Sequence, residues 1–261
     1  RQLCHLALMQ VKLTDHFAEN LPMTAPRILK SAGQICCFDP LLAPDFTPDY
    51  FSADYWQQQN AITGQSHGRG VTWFLQHDSA HWVLRHYWRG GLIGRHIPDQ
   101  FCYTGLRCTR SFAEFTLLQK LVEDELPVPR PVAARIVRSG WRYQADILIE
   151  RIPNAEDLVQ LLKREPLPRE TWQQIGQVLA QFHQAGVYHS DLNAHNILRD
   201  SDGKIWLIDF DKGAIRHPGR WQAKNLARLL RSLQKESALH PLFHWQMDDW
   251  QHLLVAYQAY R

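Results

Sequence analysis

Three side chains that carry oxygen ligands lie close together in the second half of the sequence, and their spacing constrains the fold more than any other feature. An amphipathic run that we predict to be helical ends at Gly186, and the next ten residues read VYHSDLNAHN. Two short β-prone runs follow, separated by a DSDG turn, and the second run ends just before Asp209. If these runs form a hairpin, then Asp191, Asn196 and Asp209 lie at adjacent strand ends.

This set of side chains suits phosphoryl transfer from ATP. The reaction needs a carboxylate that orients the attacking hydroxyl and accepts its proton, and it needs hard oxygen ligands for Mg²⁺. We expect Asp191 to be that carboxylate, and Asn196 and Asp209 to bind the metal. One amide and one carboxylate leave room for the phosphate and water ligands that Mg²⁺ prefers. The sequence therefore predicts an enzyme with ATP and Mg²⁺ as cofactors.

The same segments resemble the protein-kinase-like superfamily. His189 to Asn196 matches the catalytic-loop pattern His-x-Asp-x-x-x-x-Asn, and Asp209-Phe210 matches the start of the Asp-Phe-Gly motif at the family's usual distance. The resemblance implies a two-lobed α+β fold with a small β-rich N-lobe and a mostly helical C-lobe. We place the N-lobe at residues 23–152 and the C-lobe at residues 153–261. We expect residues 1–22 to be a non-native or disordered N-terminal segment.

Hydrophobic periodicity agrees with that division. Residues 23–60 are expected to be an irregular lead-in with short strands, and Gly140 is expected to be the turn of a β-hairpin. The helix over residues 111–122 would begin with a capping box formed by Ser111 and Glu114. Pro153 and Asn154 then mark a break. After it, the pattern predicts helices over residues 157–164, 171–185, 221–236 and 247–259.

The N-terminal half offers a weaker match to an ATP site. Gly64, Gly68 and Gly70 precede a β-prone run and resemble a glycine-rich loop over ATP phosphates, although their spacing departs from GxGxxG. The family also places a Lys on the third strand, but this chain has no Lys between residues 31 and 119. Arg85 stands in the expected position. We expect it to contact the ATP phosphates and to pair with Glu114, a plain structural Arg being the alternative.

Other positions follow from the resemblance or depart from it. Glu150 and Ile152 lie where the family's hinge contacts adenine. Asp211 replaces the Gly of the Asp-Phe-Gly motif, no Ala-Pro-Glu motif follows, and only fifty residues remain. Asn193 stands where protein kinases commonly have Lys or Arg. These departures favour a small-molecule or lipid-linked acceptor over a protein.

The combination of HSDLNAHNIL, LIDFDKG and an RGG-containing stretch after the Arg-bearing strand resembles the lipopolysaccharide core kinases, and within them those that act on 3-deoxy-D-manno-octulosonic acid (Kdo). The resemblance covers about residues 35–260. It implies ATP-dependent phosphorylation of the 4-hydroxyl of Kdo on Kdo-lipid A. It also implies a peripheral protein at the cytoplasmic face of the inner membrane of a Gram-negative bacterium.

The basic residues are compatible with an anionic glycolipid acceptor and an anionic membrane surface. We expect substrate or phosphate contacts from Arg89, Arg95, Asn193 and Lys212, and a solvated surface is the alternative for the two arginines. The net charge of +3 gives no reason to expect a nucleic-acid partner, and no obligate protein partner is evident. The five cysteines lack metal-ligand spacing, and no apolar run is long enough to span a bilayer.

Three alternatives remain open at this point. A heptose kinase of the same pathway would share the chemistry and differ only in its acceptor. A minimal protein kinase would need an activation segment that the sequence lacks. A non-catalytic pseudokinase scaffold is favoured by the Lys-to-Arg change at residue 85, but it would not need Asp191, Asn196 and Asp209 together.

Overall fold

A computed structural model describes residues 24–68, 70–90 and 99–261. Its N-terminal part is built on one antiparallel sheet in which β1, β2, β7, β8, β5, β4 and β3 follow one another, while β6 pairs with the start of β8. The strands are β1 (Arg27–Ser31), β2 (Gln34–Phe38), β3 (Ile62–His67), β4 (Val71–His77), β5 (Ala80–His86), β6 (Phe101–Cys102), β7 (Pro131–Ser139) and β8 (Arg142–Glu150).

The middle strands of this sheet are buried on both faces. On one face, Ala133 and Leu148 pack against an aromatic cluster that includes Trp56 and Trp82. On the other face, Ile147 belongs to the larger core beneath the neighbouring helix. The predicted hairpin around Gly140 is present as β7 and β8. The predicted lead-in is more regular than expected, because β1 and β2 form a hairpin that extends the sheet through β7.

The helix beside the sheet begins differently from the prediction. Helix α1 (Ala53–Gln58) precedes it, and α2 spans Arg110–Glu123 with Thr109 as its N-cap. The expected capping box is absent, because the Ser111 hydroxyl donates to the carbonyl of Arg135 at 2.9 Å. The carboxylate of Glu114 is buried against a cation instead. A buried carboxylate needs a counter-charge more than the first turn of a helix needs a cap.

The C-terminal part is mostly helical, as predicted. Its helices are α3 (Leu158–Arg164), α4 (Arg169–Gln184), α5 (Arg220–Leu239) and α6 (Met247–Tyr260). Short strands join them: β9 (Glu156–Asp157), β10 (Val187–Tyr188), β11 (Ile197–Arg199), β12 (Ile205–Leu207) and β13 (Ala214–Ile215). The chain is thus a mixed α+β protein with a sheet-rich first part and a helical second part, consistent with a protein-kinase-like fold.

Two close contacts, one within α4 and one just after it, fix the direction in which the chain leaves α4 toward the candidate site. A Cβ at Gly176 would overlap the carbonyl of Leu253, so α4 and α6 approach closely there. Gly186 has φ +73°, and a Cβ on it would come within 2.6 Å of the carbonyl of Arg216. Only glycine fits both positions, and α4 therefore ends in a fixed direction before β10.

No helix in the described ranges is both long and apolar enough to cross a membrane. The segment of residues 1–22 lies outside the described residues.

Candidate active site

The loop after β10 is held by His189, which is 3% exposed. Its Nε2–H donates to the carbonyl of Ile208 at 2.9 Å, and its Nδ1 accepts from the backbone N–H of Asp191 at 3.1 Å. Burial lowers the pKa of His189, which keeps the ring neutral in this arrangement. His189 therefore holds the loop backbone, and the backbone of Asp191 has a fixed position.

Two asparagines reinforce that position from the other side. The side-chain amides of Asn193 and Asn196 both donate to the carbonyl of Asp191, at 3.0 and 2.9 Å. Asn193 also accepts from the backbone N–H of His195. Both polar groups of Asn193 are thus engaged within the loop. Asn196 donates through nitrogen only, which leaves its side-chain oxygen as an acceptor.

The hairpin of β11 and β12 delivers Asp209 to the same region. Asp209 has φ +63°, a left-handed conformation that is uncommon for a residue with a side chain. The next residue, Phe210, is fully buried and stacks on Phe182 at 5.9 Å between ring centroids. Burial of Phe210 anchors the segment, and the backbone turn directs the neighbouring carboxylate away from the core.

Arg85 joins the sheet to this segment. Its guanidinium bonds Glu114 through both carboxylate oxygens, at 2.5 and 2.6 Å, and it also bonds Asp209. The Tyr87 hydroxyl donates to Glu114 at 2.5 Å. Burial alone would lower the pKa of Arg85, but the two carboxylates raise it well above its usual value. Burial would raise the pKa of Asp209, yet Arg85 lowers it, so Asp209 remains ionised.

A second arginine binds the third residue of the DFD segment. Arg110, at the start of α2, bonds both carboxylate oxygens of Asp211, one of them at 2.7 Å. The Ser190 hydroxyl donates to the carbonyl of Asp211 at 2.5 Å. The residue that departs from the Asp-Phe-Gly motif therefore connects α2 to the loop that carries Asp191.

A third arginine binds Asp191 itself. Arg228, on α5, donates from Nε to Asp191 at 2.9 Å and from a terminal nitrogen to the same oxygen. The side chains of Arg228 and Asp191 are 47% and 34% exposed, so solvent reaches this pair.

These residues face a cavity of about 370 Å³ between the sheet and the loop. Six of the predicted site residues line it: Gly68, Gly70, Arg85, Asp191, Asp209 and Lys212. The glycine turn is packed against Trp88, since a Cβ at Gly70 would overlap the indole ring. The cavity also holds four cationic side chains and three carboxylates among the described residues, namely Arg85, Arg110, Lys212, Arg228, Asp191, Asp209 and Asp211.

The remaining predicted site residues do not line this cavity. Gly64 lies within β3, where it pairs with Phe74. Glu150 ends β8, and burial raises its pKa. The other predicted residues outside the lining are Glu114, Ile152, Asn193, Asn196 and Arg89. Arg95 lies outside the described residues. Asn196 and Glu114 lie directly behind lining residues and contact them, whereas Glu150 and Ile152 lie at the far end of β8.

Sequence reasoning missed Arg228 entirely and assigned no contact at this site to Arg110 or Asp211. A helical position on α5 gives no local motif, so Arg228 could be found only from the three-dimensional contact. Asp211 did carry a signal, because it replaces a glycine. An added carboxylate beside the cavity needs a counter-charge, and Arg110 provides it.

Comparison with known proteins agrees with the geometry. Residues 53–257 match the model of the lipopolysaccharide kinase (Kdo/WaaP) family. The chain is 49% identical over 220 residues to the 3-deoxy-D-manno-octulosonic acid kinase of Vibrio parahaemolyticus serotype O3:K6, covering 84% of this chain and 92% of the relative. It is 46% identical over 228 residues to the enzyme of that name from Photobacterium damsela subsp. piscicida, covering 87% and 95%.

A third relative of that name, from Haemophilus influenzae (strain 86-028NP), is 46% identical over 217 residues, covering 80% of this chain and 90% of the relative. The family match extends across both the sheet and the helical part, so it includes every residue that lines the cavity. A family model that matches most of the chain, together with relatives at this identity, decides the classification. The chain belongs to the lipopolysaccharide kinase (Kdo/WaaP) family and is a phosphotransferase that acts on a sugar.

Proposed function

We propose that this enzyme transfers the γ-phosphoryl group of ATP to the 4-hydroxyl of Kdo on Kdo-lipid A. The observation that carries the proposal is the convergence of Asp191 and Asp209 on one cavity, with arginines bound to both. A carboxylate for the acceptor hydroxyl and a carboxylate for a metal are the two groups that phosphoryl transfer requires. The relatives named above support the choice of Kdo.

The cavity is suited to a nucleotide triphosphate. Four cationic side chains face it, and Lys212 has no carboxylate within 4.0 Å among the described residues. Gly68 and Gly70 line the cavity and carry no side chains, so phosphates can approach the backbone at these two positions. Arg85, held by Glu114, takes the position of the family's Lys and would bind the phosphates from the sheet.

The residues present also fit Mg²⁺. Asp209 is ionised and directed into the cavity, and the free side-chain oxygen of Asn196 lies beside the Asp191 loop. Within the described residues, no group of three or more His, Cys, Asp and Glu side chains could hold a metal. One carboxylate and one amide would hold the ion together with phosphate and water. Mg²⁺ would supply charge neutralisation on the transferring phosphate.

Asp191 is the proposed catalytic base. Its backbone is fixed by His189, Asn193 and Asn196, so the carboxylate has a defined direction. It would hydrogen-bond the acceptor hydroxyl, orient the oxygen toward the γ-phosphate and accept the proton as the new P–O bond forms. The bond from the γ-phosphorus to the bridging oxygen breaks, and ADP leaves.

Arg228 supports an acidic sugar over a neutral heptose. Kdo carries a carboxylate on the ring carbon two positions from C4. A base and an arginine in direct contact can therefore reach the hydroxyl and the carboxylate of one sugar at the same time. Since the fork of an arginine matches a carboxylate, Arg228 would exchange Asp191 for the carboxylate of the acceptor. A heptose offers it no such partner.

The deciding experiment is transfer of radiolabelled phosphate from ATP to purified acceptors. Kdo-lipid A should be labelled at O4, as located by mass spectrometry and NMR of the product. Acceptors with heptose but no free Kdo hydroxyl should remain unlabelled. Labelling of heptose instead would assign the enzyme to the heptose kinases, and failure to turn over ATP with any acceptor would favour a pseudokinase.

The proposal extends to organisation and location. The sheet-rich residues 23–152 form the N-lobe and residues 153–261 the C-lobe, with the ATP site between them. The enzyme works as a peripheral protein on the cytoplasmic face of the inner membrane of a Gram-negative bacterium, without nucleic acid and without an obligate protein partner. Fractionation of cells with and without a salt wash tests the location.

A further inference from the structure

Several turns meet at one end of the N-terminal sheet. The register pairs Ser31 with Gln34 and Ser139 with Arg142, so the β1–β2 and β7–β8 turns lie side by side. The backbone N–H of Arg138 donates to the carbonyl of Gly33 at 2.9 Å and ties these turns together. A surface depression of about 540 Å³ lies between them.

This end of the sheet carries an exposed aromatic side chain. Trp141, at the β7–β8 turn, is 63% exposed, whereas Trp56, Trp82 and Trp172 are buried. The guanidinium of Arg142 lies 4.4 Å from the centre of the Trp141 ring. Because most of its ring contacts solvent, Trp141 does not belong to the core of this protein.

Three cations lie at the same end of the sheet as Trp141, and one of them, Arg142, contacts its ring. Lys30, Arg138 and Arg142 lie on the same turns, and none has a carboxylate within 4.0 Å in the parts of the chain that the structure describes. Arg138 instead lies over the ring of Tyr103 at 4.1 Å, and Arg142 donates to the side chain of Gln100. We call Lys30, Arg138, Trp141 and Arg142 the basic rim.

The basic rim lies at the end of the sheet that borders the cavity. β5 runs toward this end, and Arg85, one residue before its last, lines the cavity. The turn of Gly68 and Gly70 also lies at this end, because His67 pairs with Val71. The rim and the cavity-lining residues Gly68, Gly70 and Arg85 therefore lie at the same end of the sheet.

We infer that the basic rim docks the enzyme on an anionic lipid bilayer. Unpaired cations match a negatively charged headgroup surface, and tryptophan prefers the boundary between headgroups and acyl chains. Nucleic acid would match the charge equally, but the protein as a whole carries a net charge of only +3. This inference deepens the proposed function, because an acceptor embedded in a bilayer must be met at its surface.

Co-sedimentation with vesicles tests the inference. The full chain should bind vesicles of phosphatidylglycerol and phosphatidylcholine in equal parts, and should bind pure phosphatidylcholine vesicles much more weakly. Replacing all three cations, Lys30→Gln with Arg138→Gln and Arg142→Gln, should weaken binding by about 100-fold, at about fivefold per cation. Trp141→Ser should also weaken it, and raised salt should release the wild-type protein.

A matched control separates the rim from net charge. Lys224→Gln with Arg231→Gln and Lys235→Gln removes three exposed cations from α5 and should leave vesicle binding unchanged. Circular dichroism and thermal unfolding confirm that each variant is folded. Equal binding of the rim variant and the control variant would overturn the inference, as would equal binding of wild type to both kinds of vesicle. Binding to a single-stranded oligonucleotide without binding to vesicles would also overturn it.

The test is separable from the proposed function. Rim variants should phosphorylate Kdo-lipid A in detergent as fast as wild type, and should lose activity only on acceptor embedded in vesicles. Wild type that phosphorylates the acceptor in detergent but binds no vesicles would overturn the docking role and leave the function intact. Vesicle binding without any phosphorylation would overturn the proposed function and leave the docking role intact.

Discussion

Two arginines bind carboxylates at the candidate site, and their carboxylate partners Glu114 and Asp191 differ in exposure. Arg85 lies between the sheet and the DFD segment, and its partner Glu114 has a side chain only 1% exposed. Arg228 lies on a helix at the mouth of the cavity, and both members of its pair are substantially exposed. The pair of Arg85 with Glu114 is largely enclosed by protein, while the pair of Arg228 with Asp191 is open to solvent.

The difference separates a fixed contact from an exchangeable one. A buried carboxylate that loses its cation is costly, so Arg85 must remain with Glu114 through the reaction. An exposed pair contributes little to stability, so Arg228 can leave Asp191 when another carboxylate arrives. Under the proposed function, Arg85 would therefore maintain the shape of the ATP site, and Arg228 would bind the acceptor.

The largest effect is expected from replacing Asp191, the aspartate that Arg228 binds. Asp191→Ala should lower kcat by about 10²–10⁴-fold, because it deletes the group that orients and deprotonates the acceptor hydroxyl. ATP affinity and thermal stability should change little, since the backbone contacts of residue 191 are kept. Steady-state kinetics and ATP titration measure this. Full activity of the variant would contradict the assignment of the base.

The second-largest effect is expected when the pair of Arg85 with Glu114 is broken. Arg85→Met should destabilise the protein by about 3–5 kcal/mol, because Glu114 is left buried without its cation. The control is the double variant Arg85→Met with Glu114→Gln, whose neutral amide can still accept from Tyr87. It should recover most of the stability but not the affinity for ATP. Urea unfolding gives the free energies, and a double variant as unstable as the single one would exclude a charge-based explanation.

The third effect concerns the open pair. Arg228→Ala should raise KM for the acceptor by roughly 10–100-fold, the value of a charged hydrogen bond, while KM for ATP stays the same. Arg228→Lys should recover part of the loss. An acceptor whose carboxylate is converted to an amide provides the cross-check. Wild type should bind the amide acceptor more weakly than the natural carboxylate acceptor. Arg228→Ala should bind both acceptors equally well.

The smallest effect compares the two pairs in salt. The exposed pair should contribute at most about 0.5 kcal/mol, or about 1–2 °C in Tm, and salt should remove that contribution. Thermal unfolding of wild type and Arg228→Ala should therefore converge as salt is raised, while the gap between wild type and Arg85→Met should persist. Convergence of both would mean that Arg85 is far more solvated than its contacts indicate.

The sequence predicted the local structure of the loop over residues 189–196 better than the sheet. His189, Asp191 and Asn196 lie in one short unit, where each position is fixed by local turns and by neighbours in the chain, so a linear pattern retains the information. The helices after residue 153 were also predicted within a few residues, because a buried helical face repeats regularly. The fold class followed from these features.

The features that the sequence did not predict depend on contacts between residues that are far apart in the chain. Ser111 and Glu114 have the spacing of a capping box, but the Glu114 carboxylate pairs with Arg85 of the sheet instead. No rule based on neighbouring residues predicts which of these two contacts forms. Arg228 meets Asp191 from a helix 37 residues later. The pairing of β1 and β2 with β7 likewise depends on strands distant in sequence. The pairing of Arg85 with Glu114 was predicted only because the family pattern supplied it.

The contact between Arg85 and Asp209 also governs when the site can form during synthesis. The two residues are 124 positions apart. At about 5–20 residues per second, Arg85 leaves the peptidyl-transferase centre about 6–25 s before Asp209 is added. The sheet and α2 can fold in that interval with Arg85 already paired to Glu114. The charge of Glu114 can therefore be neutralised before Asp209 is made, and the cavity can be completed only after translation of the second half.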